Sequence, residues 1–369
     1  MDWLLVLVVL GLSGIGIVLV WSATRSSLTA AGLDPRTYLK KQLLNVVIGL
    51  VLMTVVSLAD TRQIRTWAPF FYAATVLALL AVLSPAGTKV NGARAWISLP
   101  SGFQVEPSEF AKLALILAMA IAFTPPRVRT SGPPRVRSLL IALAWAAPLV
   151  ALVVVEPALG VAMVLVAVTA TIIVLSGLRL RVIAALAVLV AGAAVAASHL
   201  HVLKSYQLTR FTSFLHPSAD LAGAGYNAAQ AKIAIGSGGM FGEGLFHGHL
   251  VAGNFVPAQQ TDFIFTVAGE ELGFAGTIVI VFLLGVLIVR ALRIATRADD
   301  LFGLLVASGI AMWFAFQSFV NIGMTIGIMP ITGLPLPFVS YGGSAIFADM
   351  IAIGLLQSVH RRRRSMFAE

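Results

Sequence analysis

Apolar residues run in long blocks along this chain and do not alternate with polar ones. Ten blocks stand out, at 3–21, 42–59, 67–84, 108–124, 138–156, 158–176, 182–200, 263–289, 301–321 and 343–359. A membrane-crossing helix needs about 20 apolar residues, since each adds about 1.5 Å towards a hydrocarbon core of about 30 Å. Lipid offers no partner to an unpaired amide, so the blocks are expected to be helical. The first block could pass for a secretory signal. Its n-region carries Asp2 and no Lys or Arg, and its apolar core is too long, so it reads as the first span.

Composition agrees. Of 369 residues, 59% are hydrophobic and 11% charged, and the mean hydropathy is +0.96. A soluble domain of this size has no use for so much apolar surface, so the membrane is the solvent. There is no cysteine, which excludes disulfides and thiolate metal sites. The formal charge of +10 sits in arginine clusters between the blocks, a topology signal and not a nucleic-acid surface.

Fifteen Lys/Arg residues fall in one set of loops, including Arg127, Arg129, Arg135, Arg137 and Arg361 to Arg364, against nine in the other set. The richer side is expected to be cytoplasmic, which places both termini inside. The fold class that follows is an all-α polytopic membrane protein with ten transmembrane helices. A large extracellular loop, about 201–262, is expected between helices 7 and 8. The chain reads as one integral membrane domain, 1–369. A loop so far above ordinary connection lengths argues for function. The segment 322–342, with Pro330, Pro335 and Pro337 among several glycines, is too irregular to face lipid and must be buried or line a wet cavity. No internal repeat is visible, which weakens a transporter built from repeated halves.

Charges within spans cost about 2.5–3.5 kcal/mol each at a helix centre, so those present need a reason. They are Glu109, Lys112, Glu156, Asp262, Glu270, Glu271 and Asp349, and all but Asp349 lie towards the external ends. Glu109 and Lys112 are three apart, on one helical face. They form either an ion pair that makes insertion tolerable or part of a headgroup site. Ser108 is expected to cap their helix. Asp262 stands where a polar loop meets the eighth block. It is expected either to cap that helix or to act as a base in contact with both water and a lipid-borne substrate. Glu270 and Glu271 are adjacent and cannot share a face, so one of them is expected to be structural. His247 and His249 make a weak metal pair. The glycine-rich runs 235–239 and 340–344 either present N–H groups to phosphate or simply turn. No GxxxxGK and no Ser-x-x-Lys occurs, so neither a P-loop nor acyl-serine chemistry of that type is present, and no nucleotide is expected. Arg361 to Arg364 suit anionic lipid headgroups. Two classes fit: an enzyme acting on a lipid-linked substrate, or a transporter of one.

Three stretches carry a family resemblance. Asn321 to Leu334 followed by Pro335 to Ala345, Gly92 to Ile97 with Glu106 to Lys112, and Thr261 to Phe265 with Gly269 to Gly273 together resemble the hallmarks of the SEDS family (shape, elongation, division and sporulation). The resemblance spans nearly the whole chain. The stretches Gly225 to Asn227, Gln230 to Gly239 and Gly242 to Gly244 are more similar to the elongation branch than to the division branch.

This resemblance implies a peptidoglycan glycosyltransferase that polymerises lipid II into β-1,4 strands at the outer face of the bacterial cytoplasmic (inner) membrane. A lipid II flippase and a non-enzymatic scaffold for a transpeptidase are the alternatives. The resemblance places the family's essential acid on Asp262, as base or as the carboxylate holding a divalent cation, Mg or Mn. It places supporting and substrate-binding roles on Glu109, Lys112, Arg210, Lys232, Gln259, Thr261, Ser340, Gly342 and Gly343. Lipid II, membrane lipids, a class B penicillin-binding protein and other elongation-complex membrane proteins are the implied partners, with no nucleic acid. This chain departs from the family's usual residues at Glu106, Ala158, Ala95 and Ala258 to Gln260.

Overall fold

The structure, a computed structural model, describes residues 1–85, 87–90, 93–98, 104–124, 136–156, 158–188 and 223–365. Helices dominate it. They are α1 (Trp3–Ala30), α2 (Thr37–Leu58), α3 (Thr61–Leu83), α4 (Pro107–Phe123), α5 (Val136–Val155), α6 (Leu159–Leu175), α7 (Ala224–Ser237), α8 (His249–Ala252), α9 (Ile264–Thr296), α10 (Leu301–Ile326) and α11 (Gly343–Ser365). Between α3 and α4 lies a small antiparallel ribbon, β1 (Thr88–Val90), β2 (Ala93–Ser98) and β3 (Gln104–Val105). Among the described residues seven helices are long and apolar enough to cross a membrane, namely α1, α2, α3, α5, α9, α10 and α11, and α6 is a shorter apolar helix. The protein is therefore a multi-pass membrane protein. Nine of the ten expected blocks coincide with described helices. Residues 182–188 of the seventh are helical, and the rest of that block lies outside the described residues. The expected loop 201–262 is not loop throughout, since its second part contains α7 and α8.

The helices divide by composition into lipid-facing and central ones. Helix α4 reads LALILAMAIAF over its later turns, apolar all round, and nearly all of its residues are buried. A helix with no polar face must be covered on every side. Helix α9 instead keeps Phe274, Ile278 and Phe282 exposed, a face for acyl chains.

One end of the bundle is fastened by ion pairs. Asp2 caps α1 through Leu5 N and pairs with Arg290 of α9, while its backbone N–H donates to Gln357 Oε1 on α11. Asp300 caps α10 through Gly303 N and accepts from Arg65 at 3.2 Å and Arg362 at 3.0 Å. The arginines there do more than mark topology. Three of them tie the ends of α3, α9 and α11 to acids on other helices.

Helix α9 breaks at Gly273, whose φ of 65° and ψ of −165° no helix contains. The break frees backbone groups at membrane depth, where each must be re-paired. Residues 239–244 supply the partners. Glu243 N and Gly244 N donate to the carbonyls of Glu270 and Glu271, and Phe274 N and Ala275 N donate to Gly239 O and Met240 O. A Cβ on Gly273 would stand 2.3 Å from Gly242 N, so the close approach requires glycine. Glu270 and Glu271 lie just above the break. Glu270 accepts from Leu250 N and Val251 N at the start of α8, and Glu271 accepts from Ser22 Oγ at 2.5 Å. Both acids are thus structural, Glu270 holding α8 and Glu271 holding α1, where the sequence leads one of them to be expected so.

Candidate functional site

Helix α10 presents Trp313, Gln317 and Asn321 at intervals of four, so all three lie on one face. This stripe organises the polar interior. Lys112 is fully buried, and its Nζ donates to Glu109 Oε2 at 2.7 Å and to Gln317 Oε1 at 2.9 Å. The ammonium also lies 4.5 Å from the centre of the Trp313 ring, and Trp313 Nε1 donates to the same Gln317 oxygen. Gln317 Nε2 then reaches Pro335 O at 2.8 Å. The expected face-sharing of Glu109 and Lys112 is realised as a direct pair. Lys112 is held by Glu109, Gln317 and Trp313 together.

One turn further along the stripe, Asn321 Nδ2 donates to Asp262 O at 2.8 Å and Leu334 O at 2.7 Å. Asp262 is not the helix cap: that position belongs to Phe263, which makes no side-chain cap bond. The turn preceding the helix is organised differently. Ala258 adopts a φ of 52°, and its carbonyl accepts from Thr261 N, Phe263 N and Thr261 Oγ1. Asp262 is thereby left one residue outside the helix. Strained backbone of this kind persists only where surrounding structure imposes it. The carboxylate faces the loop 327–333, and Asp262 Oδ2 lies 3.4 Å from the point where Gly333 would carry a Cβ.

The segment 334–344 closes over this turn. Ser340 Oγ donates to Thr261 O at 2.6 Å and accepts from Leu336 N at 2.7 Å, and Tyr341 N donates to Gln260 O at 2.9 Å. Gln42 of α2 holds Ser340 O from the other side. Gly342 O accepts from Ile346 N in the first turn of α11, and Gly343 opens that helix beside Asn45. Gln259 is buried and donates to Ala23 O, Val251 O and Asn254 Oδ1, which pins the loop to α1. Lys232 of α7 is exposed, and its stem crosses Gly327 at the left-handed end of α10. Arg210 lies outside the described residues.

Glu106, not Ser108, is the cap of α4. Pro107 takes the first helical position, and Ser108 Oγ donates back to Glu106 Oε1 at 2.9 Å. The Glu106 N–H is held by Ser344 Oγ at 2.9 Å, which joins this corner to α11. Burial, with the charge of Glu109 behind it, pushes the Glu106 carboxyl up to about 8, and Asp262 is a further negative neighbour. Glu156, in the turn after α5, is buried with Glu106 as a negative neighbour. The acids Glu106, Glu109, Glu156 and Asp262 therefore share one electrostatic neighbourhood at the end of the bundle opposite the ion pairs of Asp2 and Asp300. His247 Nδ1 contacts Leu245 O, and among the described residues no group of three or more His, Cys, Asp or Glu could hold a metal.

Sequence reasoning passed over Gln317. A polar residue four positions from both Trp313 and Asn321, on an otherwise apolar helix, was the available signal.

The fold and site define a polytopic α-helical membrane protein with a clamped carboxylate at the mouth of a buried polar network. The FtsW/RodA/SpoVE family model, described as a cell cycle protein, matches residues 2–365, and the chain belongs to that family, the SEDS family. Among its relatives, the probable peptidoglycan glycosyltransferase FtsW of Trichlorobacter lovleyi is 37% identical over 97% of this chain and 92% of its own length. The peptidoglycan glycosyltransferase MrdB of Escherichia coli is 36% identical over 99% of this chain and 95% of its own. Two solved structures are similar over 98% of this chain. One, from work on the structural coordination of polymerization and crosslinking by a peptidoglycan synthase complex, is 32% identical over 98% of its own chain with a TM-score of 0.79. The other, the rod shape determining protein RodA of Thermus thermophilus, is 30% identical over 97% of its own chain with a TM-score of 0.70.

Proposed function

We propose that this protein is a peptidoglycan glycosyltransferase that polymerises lipid II, with Asp262 as its catalytic carboxylate. The observation that carries this is the placement of Asp262. Its main chain is clamped by Asn321 and Ser340, and its carboxylate faces the loop at Gly333 above the Lys112 network. The relatives that are 36% and 37% identical bear the name of this activity.

In the reaction, the acceptor sugar's hydroxyl loses its proton to Asp262 as its oxygen attacks the donor's anomeric carbon. The bond from that carbon to the pyrophosphate oxygen breaks, undecaprenyl pyrophosphate leaves with the electron pair, and the centre inverts to a β-1,4 link. Removal of the hydroxyl proton by a positioned base contributes typically 10²–10⁴-fold. Lys232, exposed beside Gly327, and Arg210 are assigned to the departing pyrophosphate. Glu109 orients Lys112, whose buried charge acts through the network. Thr261, Gln259, Ser340, Gly342 and Gly343 hold the walls.

A divalent cation, Mg or Mn, fits here only as a site completed by substrate. Asp262 is the carboxylate that would hold it, and such ions commonly take one or two carboxylates with substrate phosphates. When bound, the cation would neutralise charge on the pyrophosphate.

The chain is assigned to the bacterial cytoplasmic membrane as one domain, 1–369, with ten spans, both termini inside and the site outside. In support of that count, residues 182–188, at the start of the seventh apolar block, are helical. The elongation branch, a class B penicillin-binding protein as partner and further elongation-complex membrane proteins complete the assignment. Its support is the likeness to RodA and to the synthase-complex chain.

The test is polymerisation of labelled lipid II by purified protein with and without Asp262→Ala. We expect glycan strands from the native chain and at least a hundredfold loss in the variant. Undiminished strand formation in the variant, or lipid II translocation without polymer by the native chain, would overturn the assignment.

A further inference from the structure

Asp349 is a buried charge that the reaction above does not use. It lies in α11, is 1% exposed, and its neighbours in charge are Lys112 and Glu109 of α4. Helix α2, which packs along the same helix, meets Ile346 and Met350 at Gly49, and its buried polar residues nearest the site are Gln42 and Asn45. A carboxylate among the buried Ile346, Met350 and Ile353 is expensive, and a leucine would insert more readily.

Its one hydrogen bond shows what it does. Asp349 Oδ2 accepts from Phe338 N at 3.2 Å. Phe338 adopts a φ of 63°, in the left-handed region that a bulky aromatic residue rarely enters. Its neighbourhood leaves little freedom. The Phe338 and Val339 carbonyls press on Gly16, where a Cβ would stand 2.9 Å and 2.5 Å from them, and its ring packs 5.4 Å from Phe314. Two residues on, Ser340 Oγ grips Thr261 O and Leu336 N. Two of the four non-glycine positive-φ residues among the described residues, Ala258 and Phe338, lie in the two segments that meet at Asp262.

We infer that Asp349 is a positioning residue for Asp262: by holding the Phe338 N–H it fixes the turn 336–340, and through Ser340 it fixes the Thr261–Asp262 main chain. This rests on the assignment of Asp262 as the catalytic carboxylate. Asp349 touches no reacting atom. It sets where the base stands, and displacements of about 1 Å at such a site can cost a hundredfold in rate.

The experiment compares full-length native protein, Asp349→Ala, Asp349→Asn and Asp262→Ala in lipid nanodiscs. It measures kcat and KM for labelled lipid II, and hydrogen exchange over 258–263 and 336–341. Asp349→Ala should lower kcat at least tenfold with KM within twofold, and should raise exchange in both segments. Asp349→Asn keeps an acceptor oxygen for Phe338 N and should recover kcat to within threefold of native. Asp262→Ala should abolish polymer while leaving exchange at 336–341 native.

Native exchange in Asp349→Ala, or equal losses in the alanine and asparagine variants tracking a fall in folded protein, would overturn the inference. If Asp349→Ala does not fold, Ser340→Ala supplies the second arm, since it cuts the same link one step nearer Asp262. It should lower kcat with KM within twofold and raise exchange over 258–263, and native exchange there would overturn the inference. Polymer from Asp262→Ala would sink the catalytic assignment alone, since the exchange measurement still reports on Asp349.

Discussion

The two ends of this bundle hold their charges in opposite ways. At one end Asp300 bridges Arg65 and Arg362, all about a third exposed, and these pairs fasten helix ends in reach of water. At the other, Lys112 and Glu109 are 0% and 2% exposed and form an ion pair inside the protein. Partly exposed pairs contribute little, about 0–1 kcal/mol, while a buried pair must first overcome a desolvation cost of several kcal/mol per ion. A protein seeking only stability would place leucines at 109 and 112. The buried pair is tolerated because Gln317 and Trp313 complete its coordination, and the same network carries the wall that clamps Asp262. One end is mechanical and the other preorganised.

The largest expected effect that would break this contrast comes from Lys112→Met. It leaves Glu109 buried without the Lys112 ammonium and Gln317 Oε1 with Trp313 Nε1 as its remaining donor, and removal of one partner of a buried pair costs about 3–5 kcal/mol. Thermal melting in detergent should show a large loss. Adding Glu109→Gln should restore much of the stability without restoring polymerisation. A Lys112→Met protein as stable as the native one would erase the distinction between the ends.

The next effect is a pH dependence. Glu106 has its carboxyl raised from 4.5 to about 8, so it stays neutral at pH 7. A group raised on folding contributes stability fully below its ordinary value, and that contribution fades as pH rises through the folded value. The native protein should therefore lose stability between about pH 4.5 and pH 8, a loss that Glu106→Gln escapes. Melting temperatures across about pH 3.5–9, about a unit either side of that range, would check this. Parallel curves for the two proteins would refute it.

The smallest effect belongs to the fastened end. Arg362→Ala should cost at most about 1 kcal/mol and leave polymerisation unchanged, with the cost shrinking as salt rises. A loss as large as that of Lys112→Met would show that both ends are equally critical.

Much of the fold was legible because lipid imposes a one-dimensional rule. Apolar blocks of sufficient length become helices wherever they fall, and nine described helices stand on the blocks that hydropathy marks. The Glu109–Lys112 pair was legible too, since three-residue spacing puts both on one face whatever surrounds them. The helix starts were not. Ser108 and Asp262 both carry capping side chains, yet Glu106 and Phe263 hold the cap positions. Pro107 and the left-handed Ala258 set the entry of the chain, and local preference yielded to that geometry.

By itself the sequence determined a multi-pass helical membrane protein, a charge asymmetry between its ends and an acid where lipid begins. These follow from transfer free energies that each residue carries with it. Only the tertiary structure decided that Gln317 joins Lys112 to the wall, that residues 239–244 repair the break at Gly273, and that Asn321 and Ser340 clamp Asp262 from two sides. Those are pairings between groups far apart in the chain. They form because every polar group buried by the lipid-driven fold must find a partner, and which partner it finds depends on how the helices pack.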